Sequence, residues 1–222
     1  MRLGVVIPTL NAAERLPDCL AAIGIGKDRI DLDIVVADGG STDASRRIAA
    51  ASGARVVQSA PGRGRQLRNG AAAAQGDWLL FVHADTVLSP DWAAAALAAG
   101  PEAAGYGRLR FDDASFAARI VAGGGSLRAR LFGLPYGDQA LLIARPLHDA
   151  VGGYPDWPLM EDVGIARRLG RKRLKRLDFT ATTAADRYRR DGWLRRSWRN
   201  LTCLALFFAG WPPDRIKRRY ER

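Results

Sequence analysis

The chain is poor in the residues that build stapled or metal-knit folds. Its 222 residues include two cysteines, Cys19 and Cys203, far apart and without metal-ligand spacing. That excludes a disulfide framework and predicts two buried thiols in a reducing compartment, hence a cytoplasmic protein. No run of about 18 or more apolar residues occurs, so no transmembrane helix is predicted. The opening segment MRLGVVIPTLNAAERL has only a short apolar run before a proline, and reads as a first strand rather than a signal peptide. That strand is not followed by G-x-G-x-x-G. There is no G-x-x-x-x-G-K-[ST], no G-x-S-x-G elbow, and the two histidines lie far apart. Hydride transfer, P-loop phosphoryl transfer and serine hydrolysis lose their usual support. Internal repeats and low-complexity linkers are also missing.

What is present suits one large domain with an appendage: 48% of residues are hydrophobic, enough for a substantial core. The net charge of +11 is uneven. Residues 1–162 hold 16 Lys/Arg against 18 Asp/Glu, whereas residues 163–222 hold 18 against 5. The excess in the last quarter implies either an anionic partner or a well-solvated arginine-rich face.

Hydrophobic patterning predicts strands at Leu3–Pro8, Asp33–Ala37, Ala54–Gln58 and Asp77–His83, separated by helices at Ala12–Ile23, Thr42–Ser52 and Arg65–Gln75. This alternation predicts a parallel sheet with helices on both faces, whose ligands bind beyond the carboxyl ends of the strands. Further on, Tyr106–Phe111 and Gln139–Ala144 read as strands. Ser115–Phe132 reads as a helix interrupted by Gly123-Gly124-Gly125, and Asp162–Leu169 and Asp191–Gly210 as helices.

Three polar clusters follow predicted strands: Pro8-Thr9-Leu10-Asn11, Asp38-Gly39-Gly40-Ser41-Thr42-Asp43 and His83-Ala84-Asp85-Thr86. With VVIPTLNAAERL (5–16), VVADGGSTDAS (35–45), GRGRQLRNGAAAAQGDWLLFVHADT (62–86), GDQALLI (137–143) and MEDVGIARRLG (160–170), the order and spacing resemble family-2 glycosyltransferases. The resemblance covers roughly residues 3–170. It implies a GT-A fold, a three-layer α/β/α domain around a mostly parallel sheet over residues 1–185. A basic, amphipathic helical extension follows over 186–222. It further implies metal-assisted transfer of a sugar, with inversion, from a UDP- or GDP-sugar to an acceptor hydroxyl. The family's processive members carry a Q-x-x-R-W sequence that is absent here, which speaks against a polymerising synthase.

By the same resemblance Pro8, Thr9 and Asn11 line the base pocket and Asp38 accepts from base or ribose. The alternative is that Asp38 and Ser41 cap the next helix. Many members carry two acids here; this chain has Gly39 in the second place. Arg63, Arg65 or Arg68, after the glycines of the GRGR loop, either contact the donor pyrophosphate or solvate a helix. The family's Asp-x-Asp reads His83-Ala84-Asp85. Asp85 is the expected ligand of Mg²⁺ or Mn²⁺. His83 is a ligand, a sugar or phosphate contact, or simply the end of a strand. His-Ala-Asp resembles a subgroup encoded beside radical-SAM or selenium-related proteins. Asp162 is the expected base for the acceptor hydroxyl, with Glu161 orienting the site, unless both acids only favour a helix dipole. Asp138 and Gln139 either bond sugar and acceptor hydroxyls or close a turn.

In the C-terminal quarter, RYRRDGWLRRSWR, NLTCLALFFAGW and PPDRIKRRYER place basic and aromatic residues around an apolar run of about ten. That suits a helix in a membrane interface, with Trp193, Trp198 and Trp211 among the headgroups. It equally suits a helix packed on the domain or in a homodimer. The rival function is a nucleotidyltransferase-like or non-catalytic nucleotide-binding protein whose basic C-terminus holds anionic lipid or another polyanion. No nucleic-acid motif is present, so nucleic acid is not expected as a partner.

Overall fold

The computed structural model describes residues 1–220. The first half alternates as the sequence predicts: β1 (Arg2–Thr9), α1 (Leu16–Gly24), β2 (Asp31–Asp38), α2 (Ser45–Ala51), β3 (Arg55–Gln58), α3 (Arg63–Ala73) and β4 (Trp78–Phe81). Then come β5 (Thr86–Leu88), α4 (Trp92–Leu97), β6 (Ala104–Phe111), α5 (Phe116–Phe132), β7 (Leu141–Ala144), α6 (Arg145–Ala150) and α7 (Glu161–Leu169). The chain ends with β8 (Leu174–Thr183), α8 (Asp186–Asp191), α9 (Trp193–Phe208) and α10 (Pro213–Tyr220).

The eight strands form one sheet in the order β3-β2-β1-β4-β7-β6-β8-β5. The pairs β2–β3, β1–β2, β1–β4 and β6–β8 are parallel; β4–β7, β6–β7 and β5–β8 are antiparallel. Only β7 and β5 therefore run against the rest. Side chains alternate across β1: Leu3, Val5 and Ile7 enter a core with Leu16, Ile23 and Trp92, whereas Val6 enters the opposite core with Leu67, Ala71 and Phe81. Two cores on one sheet give the three-layer α/β/α architecture.

Three local expectations change. First, α5 runs unbroken through Gly123-Gly124-Gly125. It starts at Ser115, whose hydroxyl accepts from the Ala118 amide at 3.2 Å. A Cβ at Gly125 would meet Leu109 Cδ2 at 2.8 Å, so that glycine lets the helix close on β6. Second, α1 starts four residues late. The chain first turns through Ala12–Arg15, where the Ala12 amide donates to Ser45 Oγ and the Ala13 amide to Asp43 Oδ2, and Pro17 fits the first helical turn. Third, Trp193 is not a headgroup anchor. It stacks on Tyr188 at 4.7 Å and meets Phe111 edge-on at 5.2 Å.

The C-terminal helices pack on the domain through one face. Cys203, Phe207 and Ile216 are buried in the same core as Val163 and Leu67. Arg196, buried, bonds Asp191 at 3.1 Å and Tyr220 Oη, tying α8, α9 and α10 together.

Candidate active site

Parallel pairing sets Thr9 beside Asp38, and β4 ends next to β1, so the polar loops after β1, β2 and β4 meet at one sheet edge. The first two loops are stitched together. Asn11, with φ of 50°, accepts from the Thr42 amide at 2.9 Å, and its own amide donates to Ser41 Oγ at 2.9 Å. Asp38, 1% exposed, accepts from the amides of Gly40 at 3.1 Å and Ser41 at 3.0 Å. Its carboxylate shapes its own loop, and neither it nor Ser41 caps α2, whose N-cap is Ala44. Thr9 is buried, with Oγ1 donating to Ile7 O at 3.2 Å. Pro8 and Asn11 remain accessible at the mouth.

A clamp invisible in the sequence holds this edge. Gln66 on α3 is buried, and its Nε2 donates to Thr9 O at 2.8 Å and Ala37 O at 2.9 Å. A Cβ at Gly39 would lie 2.9 Å from that nitrogen. The clamp therefore leaves little room for a side chain at position 39.

One turn earlier on α3, Arg63 points into a second group of residues. Its Nη1 lies 3.6 Å from Oε1 of Glu161. The left-handed Met160, φ 66°, starts α7 so that Glu161 and Asp162 lead the helix. Asp162 Oδ1 accepts from the Val163 amide at 2.7 Å and Oδ2 from the Gly137 amide at 3.1 Å. His83 packs against Gly137 so closely that a Cβ there would collide with Nε2. Burial, then the charges of Arg63 and Arg187, keep His83 neutral by pushing its pKa well below the usual imidazole range. Asp138 is pushed up to about 6, first by burial. Arg128 and Arg63 oppose that rise, while Asp162 and Asp85 add to it. Glu161 is pushed up to about 7 by burial and the Asp162 charge, with Arg63 opposing. Asp85 and Asp162 thus act on the same neighbours, Asp138 and Arg63.

Several buried oxygens there lack a hydrogen-bond donor among the described residues: Asp85 Oδ1, Asp138 Oδ1 and both of Glu161. Unpaired buried carboxylate oxygens are costly unless something binds them. With a neutral imidazole beside them, they fit a hard divalent cation. Among the described residues no three of His, Cys, Asp and Glu are gathered tightly enough to hold a metal alone. Such a site needs oxygens from the ligand, as Mg²⁺ sites on diphosphates do.

Other sequence candidates do not converge. Arg65 is on the surface, paired with Asp156 at 3.0 Å. Arg68 lies on the exposed side of α3. Ala84 is packed in the first core. Gln139 is fully enclosed, donating to Gly107 O at 3.1 Å, so its side chain turns away from the cleft. Residues missed from sequence include Arg128, which lies 3.3 Å from the centre of the Tyr136 ring, and the C-terminal Arg187, Tyr188 and Tyr220. The last three act electrostatically on His83, Asp138 and Arg63 respectively, although they lie far away in sequence. Only the Gly137-Asp138 signal pointed to this wall.

Comparison with known proteins gives the family and the fold. The family Glycosyl transferase family 2 matches residues 4–114, half of the chain. Glucosyl-3-phosphoglycerate synthase of Mycobacterium tuberculosis (strain ATCC 25618 / H37Rv) is 33% identical over 94 residues, 38% of this chain and 29% of that protein. The Mycolicibacterium paratuberculosis enzyme of the same name is 32% identical over 94 residues, with the same coverage. The match thus spans less than a third of these relatives. Among solved structures, the M. tuberculosis synthase with Mg²⁺ and UDP has a TM-score of 0.59 at 23% identity, covering 82% of this chain and 69% of that one. The complex with Mn²⁺, UDP and glucosyl-3-phosphoglycerate has a TM-score of 0.55 at 23% identity, covering 82% and 70%. The fold is GT-A, and the chain belongs to glycosyl transferase family 2.

Proposed function

We propose that the protein transfers one sugar, with inversion, from a nucleoside-diphosphate sugar to an acceptor hydroxyl. The observation that carries this reading is that Asp85, Asp138, Glu161 and Asp162 are near enough to act on one another or on Arg63, which lies 3.6 Å from Glu161. The nucleoside lies over Pro8 and Asn11 at the stitched β1–β2 edge, whose buried Asp38 keeps the loop in shape. Asp85 Oδ1, with Asp138 and neutral His83 beside it, would hold Mg²⁺ or Mn²⁺. Bound there, the cation supplies charge neutralisation at the diphosphate. Arg63 adds a fixed positive charge on the same side. The solved synthase binds UDP with either metal, which favours a UDP-sugar as donor over a GDP-sugar.

Asp162 is the base. Two backbone amides fix its carboxylate and leave each oxygen a free lone pair to take the acceptor proton. Glu161 sits behind it and balances Arg63. Two buried free thiols are at home in a reducing, cytoplasmic setting. The exposed C-terminal face is the place for a peripheral partner.

The test is release of nucleoside diphosphate from a panel of UDP- and GDP-sugars, with water or alcohols as acceptor. Asp162→Asn is expected to bind donor as the wild type does and lose turnover by about 10²-fold or more. Normal turnover in that variant would end the proposal.

A further inference from the structure

Two adjoining helices each turn an apolar stripe to solvent. On α9, Leu194, Trp198, Leu201 and Phe208 recur at helical spacing on the side opposite buried Cys203 and Phe207. Leu194 is 89% and Trp198 73% exposed. On α5, which contacts α9, Phe116, Ile120, Leu127 and Leu131 form a second stripe, with Phe116 71% exposed. Scattered surface leucines need no explanation, but two packed helices with this many large exposed side chains do.

The stripe on α9 borders a groove of about 620 Å³ between α9 and α10, lined by Arg195, Arg199, Arg215, Arg218, Arg219 and the Trp198 and Trp211 rings, among others. Arg199 reaches Asp191 at 3.5 Å. Arg195, Arg215, Arg218 and Arg219 have no carboxylate partner among the described residues. Residues 186–220 carry ten Lys/Arg against three Asp. That charge repels a second copy of the same face. It matches a surface that is both anionic and apolar, and aromatic rings over basic side chains suit the headgroup layer. No helix among the described residues is long and apolar enough to cross a membrane.

We propose that the α5–α9–α10 face docks on an anionic phospholipid bilayer. The groove arginines meet lipid phosphates, and the apolar stripes enter the acyl boundary. The proposal stands apart from the chemistry assigned to the cleft.

The experiment is co-sedimentation of the full chain with phosphatidylcholine vesicles, with and without phosphatidylglycerol, across a salt series. Binding is expected only with phosphatidylglycerol, and to fall with salt. Arg215→Glu and Arg218→Glu should each weaken it roughly fivefold or more. Leu194→Ser with Trp198→Ser should abolish it while thermal stability and nucleotide binding stay normal, since both side chains are solvent-exposed. Light scattering on the same samples reads the mass. No binding to anionic vesicles overturns the proposal. So does binding unchanged in these variants, a dimer that the Leu194/Trp198 variant dissolves without any lipid binding, or equal binding to soluble polyphosphate and to vesicles. Nucleotide binding is read separately, so failure here is distinct from failure of the transfer reading.

Discussion

Replacing Glu161 by glutamine should stabilise the ligand-free protein at alkaline pH and do nothing in acid. Glu161 is 1% exposed, and among the described residues neither of its oxygens has a hydrogen-bond donor, Arg63 Nη1 standing 3.6 Å from Oε1. Burial raises its affinity for a proton, so the folded state holds that proton from the ordinary carboxyl pKa of 4.5 up to about 7, whereas the unfolded chain has released it. Where the folded state binds more protons, stability falls as pH rises. The penalty is absent below pH 4.5, grows through that window and is complete above pH 7. Its size is roughly 3 kcal/mol, at about 1.4 kcal/mol per pH unit. Glutamine keeps the shape and removes the charge. Weakening the contact with Arg63 offsets part of the gain. For a chain of this length each kcal/mol moves Tm by about 2–4 °C, so the variant should melt about 4–10 °C higher at pH 8.5. At pH 4.5 the two proteins should coincide. Thermal melts across that range are the assay. A variant less stable than wild type at pH 8.5, or a difference independent of pH, would refute the reasoning.

Restoring the second acid with Gly39→Asp should cost about 1–3 kcal/mol, because the new side chain meets the Gln66 amide; denaturant melts read it. Gln66→Ala should cost about 2 kcal/mol by removing two buried hydrogen bonds, and combining it with Gly39→Asp should cost less than the two losses together. Arg196→Ala should lower the melting midpoint in the same assay, since it removes the link between Asp191 and the Tyr220 hydroxyl, while Asp191 keeps Arg190 at 2.9 Å. Gly137→Ala should lower turnover more than stability, because a methyl there pushes His83 aside and disturbs the amide that holds Asp162.

The first half of the fold was legible because its strands are buried runs separated by turn residues. β8 was not. LKRLDFTATT alternates charge with small and apolar residues, and it becomes a strand by pairing with β6 across an irregularity at Tyr106/Arg108 and with β5 on its other edge. The short α4, α6 and α10 likewise follow from packing rather than pattern. In the site, carboxylates at strand and helix ends could be read from residue order. The Gln66 clamp, the Gly137 amide on Asp162 and the C-terminal tyrosines could not, since each depends on elements brought together from distant parts of the chain. Arg65 looked equivalent to Arg63, but successive helix positions two apart face different ways, and only Arg63 turns inward.

Calorimetric titration of UDP into the wild type and Asp85→Ala, each with and without Mn²⁺, tests the cleft most directly. Wild type should bind at least about tenfold more tightly with the metal, and Asp85→Ala should bind equally weakly in both conditions. A metal-enhanced affinity that survives in Asp85→Ala would contradict the assignment.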